Sequence, residues 1–336
     1  MTPLDGLRAA FGDDEVTHLA HPDDDPGAVR AADLVIAVVG YTKDDEGEYI
    51  DTAGTAALAG ELFPPRDHPQ VGLPVTPPTP GPESGDGAGE ARDDHDPGGM
   101  SPGGDRDSLR LSDADEALIA AAAALRSDVV VSIQCGSAVM VPWADSVGAV
   151  LVSWYSGVEG GNALADVMTG AVEPGGRLPF AIPADQADLV PFDKNASEIT
   201  YDLLHGQWHL DATGTPAAYP FGAGLGYTTW SIDGFDVDGD EVRASVRNTG
   251  ERAGSTVVFV HASVPGSSVE RPPKRLVGFM RVHAVAGEEK SVGIGIDWRQ
   301  LDVRRNGGWW SEPGAYELHV GFDAATAVGI LSVERG

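Results

Sequence analysis

The sequence has little positive charge and very little lysine. Its 336 residues include 22 Lys and Arg against 52 Asp and Glu, which gives a formal net charge of −30. Lysine stands only at positions 43, 194, 274 and 290. Because binding to nucleic acid or to an anionic membrane needs clustered cations facing phosphate groups, this balance argues against both kinds of partner.

Cysteine and long apolar runs are also scarce. Cys135 is the only cysteine, which excludes an intramolecular disulfide and fits a reducing compartment. The longest apolar run covers residues 117–125, far fewer than the about 20 residues that cross a bilayer. The first residues have neither the basic start nor the apolar stretch of a signal peptide. We therefore expect a cytoplasmic protein without a membrane partner.

Apolar residues, in contrast, are plentiful enough for a packed core, at 42% of a chain whose length is typical of two domains. Residues 33–40, 128–133 and 149–154 form short β-branched runs, as buried parallel strands do. Residues 114–126 and 160–170 have the pattern of helices, and Ser112 can cap the first of them. This alternation predicts an α/β sandwich domain with a mostly parallel sheet over residues 1–229.

A change in composition interrupts this α/β region. Between residues 64 and 102 there are ten prolines, many glycines and almost no apolar periodicity. Such a segment has no core whose burial would offset the entropy lost on ordering it. We expect a long, acidic, Pro/Gly-rich insertion over about residues 52–103.

The pattern changes again near Trp230. Residues 241–247, 256–262 and 316–321 are β-rich or alternating segments that lie between glycine and proline turns. No helical period is visible in this part of the sequence. Short strands of this kind predict an antiparallel, all-β sandwich over residues 230–336.

Several motifs occur in the order found in one known family. They are DEGEYI at 45–50, GDRDSL at 104–109, VPW at 141–143, WYSG at 154–157, EGGNALAD at 159–166, PGGRLPF at 174–180, YPFGAGLGYT at 219–228 and RPPKRLVGF at 271–279. Together they resemble the C-terminal half of glycoside hydrolase family 3, the β-glucosidase family. The resemblance implies an α/β sandwich followed by a fibronectin-III-like (immunoglobulin-like) sandwich, which agrees with the division reached from the sequence pattern.

The resemblance also implies a partner. The family has an N-terminal (β/α)8 barrel that carries the catalytic nucleophile, an aspartate. Only about 30 residues precede the first predicted strand here, whereas a barrel needs roughly 200 or more. We therefore expect a separate barrel subunit, or self-association, and a β-glycoside or oligosaccharide as the substrate. The alternative is a non-catalytic module that stabilises another chain or binds carbohydrate or protein.

The candidate catalytic residues lie in the acidic loop after the first predicted strand. Retaining glycosidases need a nucleophilic carboxylate and a second carboxyl group that acts first as acid and then as base. By similarity to the family's Gly-Glu-Gly-Tyr-Ile loop, Glu48 is the acid/base candidate and Glu46 is the runner-up. A glutamate among like charges has the raised pKa that a general acid requires. A solvated acidic loop without catalytic function is the alternative interpretation.

Three further residues are candidates for contact with the substrate. Tyr49 can stack on a sugar ring, and the pair Asp105 and Arg106 resembles the family's Gly-Asp-Arg element. Such a pair can also simply brace a loop. Acid/base and nucleophile chemistry needs neither a metal nor an organic cofactor, so we expect none.

Overall fold

The structure is a computed structural model that describes residues 1–42, 45, 106–193 and 196–336. The chain divides into two compact units. One consists of Met1–Gly40 and Ser108–Gly336, and the other is Tyr41–Asp107. The predicted insertion at about 52–103 lies outside the described residues. The proposed domain division at residue 230 stays a prediction.

The first part of the large unit alternates helices with parallel strands. Its strands β1, β2 and β3 form a sheet in the order β1-β2-β3, and both pairs are parallel. Ala37 in β1 and Val131 in β2 are buried, whereas Val38, on the opposite face of β1 from Ala37, is exposed. The predicted α/β fold is confirmed. The elements are α1 Pro3–Phe11, α2 Pro26–Ala31, β1 Ile36–Gly40, α3 Asp113–Leu125, β2 Val130–Gln134, β3 Ala149–Val152, α4 Gly160–Thr169, β4 Ile182–Pro183, α5 Gly206–Thr213 and β5 Ala217–Tyr219.

Local sequence explains where α3 begins and what it buries. The Ser112 hydroxyl accepts a hydrogen bond from the backbone N–H of Asp115, which satisfies one free donor of the first turn. Acidic side chains in that turn favour the positive end of the helix dipole. Ile119 and Ala122, three residues apart, form the buried stripe. The helix predicted at 114–126 is therefore present.

A close backbone approach joins α1 to α4. A side chain on Gly6 would overlap the carbonyl group of Gly161, and one on Gly161 would overlap the carbonyl group of Thr2, so both positions need glycine. Thr2 caps α1 by accepting the N–H of Asp5, and Pro3 takes the first helical position. The N-terminal residues are thereby fixed against the helix that follows β3.

The second part of the large unit is all-β, as predicted. Its two main sheets have the strand orders β10-β7-β6 and β14-β13-β8-β9, and β11 pairs with β12 as a separate hairpin. All these pairs are antiparallel, and the fold agrees with a fibronectin-III-like sandwich. The strands are β6 Trp230–Asp238, β7 Glu241–Asn248, β8 Gly254–Ser263, β9 Arg275–Ala284, β10 Glu289–Gly295, β11 Val303–Arg305, β12 Gly308–Trp310, β13 Gly314–Gly321 and β14 Ala327–Arg335.

Alternation along the strands builds the core of this sandwich. Val242, Ala244 and Val246 of β7 point inward and pack in one apolar cluster with Leu318 of β13. Tyr316 is buried in the same cluster, and its hydroxyl donates a hydrogen bond to the backbone carbonyl of Glu312. A buried tyrosine thus keeps a partner for its polar end.

His261 is a buried titratable group in β8. Only 6% of its surface is exposed. The centre of its ring lies 6.1 Å from the ring centre of Phe221 and 6.2 Å from the ring centre of Phe259. Burial, with smaller contributions from Lys274 and His319, lowers its pKa from 6.5 to about 4, against the opposing influence of Asp323. The folded protein therefore holds this imidazole neutral.

We expect His261 to make the protein less stable in mild acid. Between pH 6.5 and about 4, His261 binds a proton in the unfolded chain but stays neutral in the folded chain. The free energy of unfolding therefore decreases as the pH falls through this range. The loss across this window is on the order of 3 kcal/mol. Denaturant unfolding at pH 7 and pH 4 should show a smaller loss in His261→Gln than in the wild type. His18→Gln, at an exposed position, is the control. An unchanged pH dependence in His261→Gln would contradict the prediction.

Candidate active site

The carboxyl ends of the three parallel strands lie at one edge of the sheet, which is where α/β folds place their binding and catalytic loops. β1 ends at Gly40, β2 at Gln134 and β3 at Val152. The acidic loop with the catalytic candidates follows β1 directly in the sequence. The chain therefore leaves the sheet at this edge and enters the loop.

Glycine is required where β1 ends. Gly40 has φ of +145°, and a side chain there would overlap the backbone of Gln134 on the neighbouring strand. Only glycine combines this backbone conformation with so close an approach. Gly40 is therefore a position of β1 where a larger residue is not tolerated.

Trp154, just after β3, has an unusual backbone conformation at the same edge. Its φ is +55°, which bulky side chains rarely adopt. An edge-to-face contact with Phe180, with ring centres 5.7 Å apart, holds the half-buried indole. Because strained residues cluster at functional sites, Trp154 is a candidate site residue, together with the neighbouring Tyr155, which is exposed.

The small unit begins with a hydrogen-bonded turn at the start of the acidic loop. One carboxylate oxygen of Asp45 accepts two hydrogen bonds from Thr42, one from the backbone N–H at 2.8 Å and one from the side-chain hydroxyl at 2.9 Å. The N–H of Asp45 donates in return to the carbonyl of Thr42 at 3.1 Å. These contacts give Asp45 a structural part in the turn.

Arg106 is the one predicted site residue that the structure describes. Its guanidinium lies over the ring of Tyr41, with the central carbon 4.3 Å from the ring centre, a cation–π geometry. Glu46, Glu48, Tyr49 and Asp105 lie outside the described residues. The roles assigned to all five therefore stay predictions.

Two of the sequence motifs meet at Glu173, next to PGGRLPF. Its carboxylate accepts the backbone N–H of Tyr227 at 3.0 Å, in the YPFGAGLGYT segment, and the N–H of Ser255 in β8 at 2.6 Å. The Tyr227 hydroxyl donates to the carbonyl of Val167 in α4 at 2.6 Å. These motifs therefore tie the α/β part to the β-sandwich. The motifs were visible in the sequence, but no local signal marked the role of Glu173.

Arg177 of the same motif takes part in this connection. Burial lowers the pKa of its guanidinium, against the attraction of Glu173. One of its terminal nitrogens donates to the hydroxyl of Thr256 in β8 at 3.2 Å. This hydrogen bond is a further link between the PGGRLPF motif and β8.

Comparison with known families decides where the chain belongs. Residues 1–227 match the glycosyl hydrolase family 3 C-terminal domain, and residues 256–324 match a fibronectin type III-like domain. The first match covers more than half of the chain. The chain belongs to glycoside hydrolase family 3. Within that family it corresponds to the C-terminal domain, as the sequence motifs had indicated.

The relatives of this family 3 chain include several proteins named as beta-glucosidases. Beta-glucosidase B of Emericella nidulans is 36% identical over 265 residues, which cover 71% of this chain and 31% of that protein. The structure of beta-glucosidase 3B from Thermotoga neapolitana in complex with glucose aligns with 68% of this chain and 34% of its own, with 31% identity and a TM-score of 0.63. The crystal structure of the GH3 beta-glucosidase of Bifidobacterium adolescentis aligns with 99% of this chain and 45% of its own, with 25% identity and a TM-score of 0.74. The chain spans less than half of each of these proteins.

The described residues contain no cluster of three or more His, Cys, Asp or Glu side chains that could hold a metal ion. The same part of the chain has no helix whose length and apolar character would let it cross a membrane.

Proposed function

We propose that the chain is the acid/base-bearing part of a retaining β-glucosidase-like hydrolase. Glu48 is the proposed acid/base, with Glu46 as the alternative, and a (β/α)8 barrel on a separate subunit supplies the nucleophile. The observation that carries this proposal is the family match over residues 1–227, a range that includes the loop with both glutamates. The β-glucosidase activity named for the relatives supports the choice of substrate class.

The reaction divides the work between two carboxyl groups about 5 Å apart. The barrel's carboxylate attacks the anomeric carbon while the protonated acid/base gives its proton to the leaving oxygen. The same residue, now ionised, removes a proton from the water that hydrolyses the glycosyl-enzyme. A loop at the carboxyl edge of a parallel sheet suits this role, since that edge is where α/β folds present side chains to a ligand.

Other residues of this chain are proposed to bind the substrate. Tyr49 stacks on a sugar ring, and Asp105 and Arg106 hold hydroxyl groups by charge-assisted hydrogen bonds. Arg106 is supported in this role by its stacking on Tyr41, which orients the guanidinium plane.

The test is to isolate the chain with its partner and to compare the complex with the chain alone. A tagged chain should capture a barrel-containing protein from an extract of the source cells. The complex should hydrolyse an aryl β-glucoside, while the purified chain alone should stay at background because the proposed nucleophile lies on the barrel. A monomeric chain that captures no barrel, or robust turnover by the isolated chain, would contradict the proposal.

A further inference from the structure

The β11–β12 hairpin is a two-stranded antiparallel sheet, separate from the two main sheets of the β-sandwich. Asn306 and Gly307, with φ of +51° and +79°, form its two-residue connection. Positive φ at both central residues is typical of the type I′ turn, whose twist matches that of the flanking strands. The register places Arg304 directly opposite Trp309. Directly paired residues point to the same face, so these two side chains lie together.

Trp309 is a large aromatic side chain left in solvent. Its exposed fraction is 67%, and the guanidinium carbon of Arg304 lies 5.6 Å from its ring centre. Trp310, which is half-buried, follows it in the strand and therefore points to the opposite face, where Arg305 lies 4.8 Å from its ring centre. Trp310 is thus the less exposed of the two indoles, whereas Trp309 presents its ring to solvent.

Hydrogen bonds and an ion pair hold the residues at the two ends of the hairpin. The Asp302 carboxylate, just before β11, accepts a hydrogen bond from the hydroxyl of Ser311, just after β12. Arg271 donates to the carbonyl of Leu301 and also pairs with Glu312. The exposed indole is thus held on a preorganised support, which reduces the entropy lost when a ligand binds.

We propose that Trp309 and Arg304 form a surface site for a chain of β-linked glucose. One indole has about the size of a pyranose ring, whose apolar face stacks on aromatic rings, and the guanidinium beside it offers donors to sugar hydroxyls. Residues 304–308 around the indole are all exposed, and none of them is apolar apart from glycine. A protein interface needs roughly 800 Å² per partner with an apolar centre, which this small polar hairpin does not offer.

The choice of a glucan as the ligand rests on the proposed function. The test measures binding alone and needs no hydrolysis, so its outcome does not depend on whether the proposed catalytic role is correct. The experiment is native electrophoresis of the chain through gels that contain barley β-glucan or its carboxymethylated form. We expect neutral glucan to retard the wild type and Trp309→Ala to lose roughly tenfold or more in affinity. Arg304→Ala should weaken binding less.

The matched control is Phe279→Ala, because Phe279 is an aromatic residue of β9 with 63% of its surface exposed. This variant should be retarded like the wild type. Equal melting temperatures would show that Trp309→Ala is folded. The proposal is overturned if the wild type is not retarded by neutral glucan, or if Trp309→Ala is retarded equally. Retardation by carboxymethyl glucan alone would show simple charge attraction and would also overturn the proposal. The same holds if the chain binds no glucan but forms a dimer that Trp309→Ala abolishes, because the surface would then bind a second copy of the chain.

Discussion

Replacing Glu48 by alanine in the complete enzyme is expected to slow hydrolysis of alkyl glucosides and disaccharides by about 10²–10⁴-fold, the usual contribution of a general acid. These substrates have poor leaving groups that need a proton in the transition state. Activated aryl glycosides, such as dinitrophenyl glucosides, leave without one, so formation of their glycosyl-enzyme should be far less impaired. The measurement is a comparison of the two substrate classes under identical conditions.

The second half of the reaction gives an independent check. Without its base the Glu48→Ala enzyme should accumulate the glycosyl-enzyme, because water is not activated. Azide needs no base and should restore turnover of the activated substrates, with a glycosyl azide as product. Glu46→Ala is the matched control, since it removes a carboxylate of the same loop. Azide rescue of Glu46→Ala instead would assign the role to Glu46, and rescue of neither would exclude this loop from the chemistry.

Replacing Glu312 by alanine is expected to destabilise the β-sandwich strongly. Only 8% of Glu312 is exposed, and its carboxylate accepts hydrogen bonds from the backbone and hydroxyl of Ser268, from the hydroxyl of Ser267 and from Arg271. These donors lower its pKa from 4.5 to about 2, and the hydroxyl of Ser267 has the largest effect. Removal of the acceptor leaves a largely buried guanidinium without its ion pair.

Thermal unfolding measures this effect. At pH 7 the melting temperature of Glu312→Ala should fall by on the order of 5–10 °C, while Glu334→Ala, at an exposed position of β14, should change little. Because the folded pKa is depressed, the contribution of Glu312 is present above pH 4.5 and is lost as the pH falls toward about 2. Wild type and variant should therefore converge in acid. Equal melting temperatures at pH 7 would show that the cluster does not stabilise the fold.

Much of the fold could be predicted because its signals are local. A buried parallel strand is apolar on both faces, so residues 33–40 predicted β1 Ile36–Gly40 from composition alone. Alternation in residues 241–247 predicted β7 in the same way, since one face of an antiparallel strand packs on the core. Ser112 is a favourable N-cap residue, so this one side chain predicted where α3 begins.

The candidate site was predictable only in part. The order of the motifs indicated the family, and with it the acidic loop after β1, but roles within that loop depend on distances to a substrate. Trp154 illustrates the limit, because its φ of +55° results from the packing after β3 and has no sequence signal. Trp309 shows the same limit, since sequence alone does not distinguish an exposed indole from a core residue.

By itself, then, the sequence determined the α/β part, the β-sandwich that follows it and the family, because secondary structure and motif order are encoded in neighbouring residues. Contacts between distant residues were decided by the tertiary structure. Glu173 meets Ser255 across 82 positions, and Arg271 meets Glu312 across 41. Burial of His261 likewise follows from the packing of Phe221 and Phe259 around it. The sequence shows only that a residue is a glutamate or a histidine, whether it lies in a loop or in a core. The fold alone determines the solvation of its side chain and its partners.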